Sequence, residues 1–92
     1  MKNLNSKKNI ESRIAQITAL AYRVSQQGKH DVFARYSGHV NLLEVQIYLG
    51  KWKSGLSGNH EWSLWLSTDR NRFKTLSQIR AKLNSLLKKN SR

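Results

Sequence analysis

Leu43-Glu44-Val45-Gln46-Ile47-Tyr48-Leu49 decides the fold, because four aliphatic side chains alternate there with Glu, Gln and Tyr. A period of two puts every aliphatic residue on one side of a strand and leaves the polar ones on the other. Such a strand needs partners in a sheet and a second layer over its apolar face. Upstream, Val32, Ala34 and Tyr36 alternate in the same way, and Ser37-Gly38-His39 reads as the turn between the two strands. An even-numbered loop sets Val32 and Ala34 on the core face beside Leu43, whereas an odd one buries Phe33; the even loop is preferred. Downstream, Glu61–Ser67 alternates with Trp62, Leu64 and Leu66 on one face and Trp65 on the other, after a long Gly50–His60 loop.

The flanks switch to helical spacing. Ile10, Ile14, Ile17, Ala21 and Val24 recur at steps of three and four, which predicts a helix from Ile10 to Gln27. Asn9 is its expected N-cap, Glu11 suits the first turn, and Gly28 suits the left-handed residue that ends it. Phe73, Leu76, Ile79, Leu83 and Leu86 predict a second helix over Arg72 to Lys88. The expected fold class is therefore α+β, in the order α-β-β-β-α, with both helices packed on one face of a three-stranded antiparallel sheet. Tyr48, Trp65, Phe33 and Leu42 are then expected on the open face, with Trp52 nearby.

Ninety-two residues suit one domain, with 1–8 read as a flexible basic segment and 89–92 as a flexible tail. Seventeen Lys and Arg against five Asp and Glu leave a formal charge of +12, and the apolar fraction is only 38% with a mean hydropathy of −0.67. A small core under that much self-repulsion favours a polyanionic or acidic partner. The charge is also segregated. Residues 1–29 hold six bases and one acid, 30–69 three bases and four acids, and 70–92 eight bases and no acid. Without Cys, disulfides, thiolate metal sites and a cysteine nucleophile are excluded. No run is apolar enough for a membrane span or a signal sequence, so a cytoplasmic location is the expectation.

Arg70, Arg72 and Lys74 stand at the start of the second helix, where the dipole ordinarily attracts acids; cations there add to the field of the free N–H groups and suit phosphate. Arg13 and Arg23 on the first helix, and Arg80 and Lys82 on the second, complete the expected binding set for nucleic acid or an acidic partner. In Gly50-Lys51-Trp52-Lys53-Ser54-Gly55, two cations flank an indole between glycines, so Lys51 and Lys53 could hold phosphates while Trp52 stacks or folds back on the sheet. Tyr48, Trp52 and Trp65 are the candidate protein contacts. His30 and His39 could approach each other across the first hairpin, but no ligand spacing accompanies them or His60, and no catalytic constellation can be assembled. No metal, cofactor or enzymatic activity is expected.

The α-β-β-β-α order, with bases opening the last helix, resembles the double-stranded-RNA-binding domain over residues 10–88, a likeness that implies RNA contact through helix one, an inter-strand loop and the start of the last helix. Where that family carries Lys-Lys-x-Ala-Lys, this chain has Arg70-Asn71-Arg72-Phe73-Lys74. The stretch Lys29–Asn41, followed by Leu43-Glu44-Val45 and Gly50-Lys51-Trp52, is similar in style to small phage or prophage accessory proteins, anti-CRISPR inhibitors among them. That resemblance implies a non-enzymatic protein that occludes a host nucleoprotein such as a CRISPR effector. A plain RNA- or DNA-binding regulator and a homodimer formed through the open sheet face are the alternatives.

Overall fold

The computed structural model describes residues 2–55 and 58–87, with residues 2–7 described by their backbone alone. The elements are α1 (Lys2–Gln26), β1 (Asp31–Ser37), β2 (Leu42–Tyr48), β3 (His60–Trp65) and α2 (Arg72–Leu86). The strands form one antiparallel sheet in the order β1-β2-β3. Leu43, Val45 and Ile47 of β2 and Leu64 of β3 share one core with Ile17 and Leu20 of α1 and with Leu76, Ile79 and Leu83 of α2. Both helices therefore cover the same face of the sheet. The α+β class and element order expected from the sequence are those observed.

The hairpin register is the preferred one: Val32 pairs with Ile47, Ala34 with Val45 and Tyr36 with Leu43, and Phe33 lies outside. The turn itself is longer than Ser37–His39. It comprises Gly38–Asn41, with Asn41 in the left-handed region at φ 53°. Four residues is still an even count, which is why the faces come out as expected.

Three boundaries differ. Asn9 does not cap α1, which already runs from Lys2; no Gly or Pro interrupts residues 2–9, and Asn inside a helix costs only about 0.7 kcal/mol relative to Ala. At its other end α1 closes as anticipated, with Gly28 at φ 82° and its N–H donating to Ser25 O. Leu49 continues the alternation in sequence but leaves the strand and is exposed. Leu87 caps α2 with its N–H on Leu83 O and Asn84 O, and the expected end at Lys88 and the 89–92 tail lie outside the described residues.

Chain direction gives the molecule two poles. α1 ends where β1 begins, tied there by the Val32 N–H donating to Ser25 Oγ at 3.0 Å. At the opposite pole the first half of α1, the Gly38–Asn41 turn, the segment after β3 and the start of α2 come together, since Arg13 reaches Ser77 and Leu66 N–H donates to Asn41 O. The helices consequently run parallel.

Candidate nucleic-acid interface

The seam between the two parallel helices carries arginines at both ends. At the first pole, the Arg13 and Arg72 guanidiniums stand 5.4 and 5.3 Å from the centre of the Phe73 ring. Arg13 donates to Ser77 Oγ at 3.1 Å and Arg72 to Asp69 O at 3.2 Å, while the Nε of each is closed off from solvent without an acceptor. The ring's negative faces hold two like charges close together and fix both planes. Their remaining N–H donors form a preset fork for phosphate oxygens. Further along the seam, Arg23 and Arg80 line a shallow cleft of about 230 Å³ with Gln16, Leu20 and Asn84. Ten residues of helix separate Arg13 from Arg23, about 15 Å at 1.5 Å per residue. Arg70 and Lys74 are exposed beside the start of α2, whose first turn holds no acid, and Lys82 is half-buried.

The opposite face of the sheet is built differently. Strand alternation places Asp31, Glu44 and Glu61 there, three of the chain's five acids. Arg35 meets Glu44 at 3.4 Å and Lys51 meets Asp31 at 3.6 Å. Cations and acids are thus divided between the two sides of the molecule.

Tyr48, expected as an exposed contact, is 7% exposed and withdrawn from the surface. Phe33 packs edge-on against its ring at 5.5 Å, and Trp52 leans on Phe33 at 6.4 Å. The loop is drawn back by Asp31, which accepts from Trp52 N–H at 2.7 Å and pairs with Lys51, and by His30 Nδ1, which accepts from Gly50 N–H. Lys51 is therefore engaged at the second pole, away from Arg13 and Arg72, and Lys53 is exposed beside it. Trp52 and Trp65 each remain 48% exposed. They stand at opposite ends of the open face, and the Arg35–Glu44 pair lies between them.

His30 and His39 do not meet, because the length of β1 separates them, and His60 stacks on Trp62. Among the described residues no group of three or more His, Cys, Asp or Glu could hold a metal ion, and no helix is long and apolar enough to cross a membrane. Phe73 was legible only as a core residue. Its role as the plate between two arginines had one signal, Ser77 standing one turn later on the apolar stripe. Comparison with protein-family models, with curated proteins and with solved structures finds no match to this chain.

Proposed function

We propose that this protein is a non-catalytic nucleic-acid-binding module that holds phosphates along its helix layer and reserves its sheet face for protein, thereby occluding a nucleoprotein on which it lands. The division of charge carries this reading: Arg13, Arg23, Arg70, Arg72, Lys74, Arg80 and Lys82 lie on or beside the helices, and three of five acids lie on the sheet's far face. A polyanion is attracted to the first side and gains little from the second. The exposed Trp52 and Trp65 favour a protein partner for the sheet, since desolvated aromatic anchors dominate such interfaces. A cytoplasmic phage-directed target such as a CRISPR effector, which keeps RNA and DNA in protein channels, offers both surfaces at once.

The test is binding of unrelated RNA and DNA duplexes across a salt series. Affinity should fall steeply with salt, and replacing the exposed Arg23, Arg70, Lys74 and Arg80 together by Ala should lower the logarithmic slope by roughly three. Binding that ignores salt would overturn the phosphate role.

A further inference from the structure

The first pole also holds a cleft of about 640 Å³ that the cationic seam does not use. Its floor is aliphatic, Ile10 and Ile14 from α1 and Leu66 just beyond β3, and its wall is Tyr36. Tyr36 pairs with Leu43 and so belongs to the face that the helices cover, yet it is 52% exposed. The tyrosine is at the end of the sheet, where the covering layer has run out.

That ring is held in place. Its hydroxyl donates to Asn41 Oδ1 at 2.7 Å, Asn41 Nδ2 donates to Ser67 Oγ at 2.8 Å, and the Asn41 carbonyl accepts from Leu66 N–H at 3.0 Å. A fixed aromatic plane over an aliphatic floor is a stacking platform. Glu11 is the one charged side chain lining the cleft, and its carboxylate can accept from the N–H groups on a base edge. Bases adjoin the cleft along the chain: Lys8 and Arg13 beside Ile10 and Ile14, Arg70 and Arg72 after Leu66.

We infer that this cleft receives one unpaired nucleobase of the bound nucleic acid, stacked on Tyr36, while the neighbouring cations hold the phosphates on either side. The inference rests on the proposed phosphate-binding role and adds that the preferred ligand has a base free of its duplex. Charge decides between this occupant and an apolar peptide side chain, because a peptide gains nothing from the surrounding cations, whereas each nucleotide brings a phosphate with its base.

The probe is a short RNA hairpin with 2-aminopurine in its loop, set against a fully paired RNA duplex of equal phosphate number, each with a DNA counterpart. At one salt concentration the hairpin should bind about tenfold tighter than the duplex, near 1.4 kcal/mol, and its fluorescence should change on binding. The RNA and DNA arms identify the sugar of the preferred strand. Tyr36→Leu should abolish the preference while leaving duplex affinity and the melting temperature in place, and Tyr36→Phe should retain it. Equal, salt-dependent binding of hairpin and duplex by the native protein would overturn the base site and leave the phosphate role standing, as would an undiminished preference in Tyr36→Leu. Absence of binding to every probe would overturn both.

Discussion

Asn41 is the residue on which the first pole turns, since a left-handed backbone and two side-chain hydrogen bonds coincide there. Asn enters that region more readily than most residues other than Gly, so the position asks for Asn on two separate grounds. Asn41→Ala should cost about 2–3 kcal/mol, combining the left-handed penalty with the lost bonds, whereas Asn41→Gly should cost about 1 kcal/mol through the bonds alone. Urea denaturation of the pair measures the difference, and equal losses would remove strain from the account. Nothing in the alternation of β2 revealed Asn41 as a hub, because its partners Tyr36 and Ser67 are five and 26 residues away and belong to different segments. Tyr48 illustrates a similar limit. Periodicity assigned it correctly to the far face, but its burial depends on Phe33 and on a loop folded back by Asp31. Periodicity describes direction and is silent about what later covers a side chain.

At the scale of elements, β2 is the spine, paired on both sides and contributing Leu43, Val45 and Ile47 to the core. Ile47→Ala should destabilise the fold by about 2–5 kcal/mol, a large part of the stability of so small a domain; a loss below about 0.5 kcal/mol would contradict its place in the core. Gly28 ends α1 with a positive φ, and an added methyl group there would meet nothing within 4 Å. Gly28→Ala should thus cost about 1–2 kcal/mol by backbone strain alone, readable as a lowered melting temperature with an unchanged far-ultraviolet spectrum. Strand pairing and both helices were legible because alternation and helical steps are recorded in the very residues that pack. The start of α1 was not. Asn9 satisfies the rules for a cap, but a cap is used only where the preceding chain departs from helix, and Lys2–Lys8 supplies no residue that forces it to.

For the whole molecule, counting charge by segment located the bases at both ends of the chain, and the fold then brings those ends together as neighbouring helices on one side. The concentration was therefore readable before the structure, whereas the pairing of Arg13 with Arg72 across Phe73 was not, being a contact between residues 59 positions apart. If the sheet face meets protein, Trp65→Ala should spare free nucleic acid and weaken capture of an assembled nucleoprotein about tenfold, with an unchanged melting curve as the control. Proportionate loss from both ligands would assign Trp65 to base stacking instead. The division of acids and bases between the two faces has a further consequence, in time rather than in equilibrium. A body charged so unevenly is turned by the field of a polyanion before it arrives, helices leading, so that encounters begin in nearly the right orientation. Changes to the helix cations should accordingly slow association and flatten its dependence on salt, whereas changes at Trp65 should shorten the life of a complex that forms as fast as before.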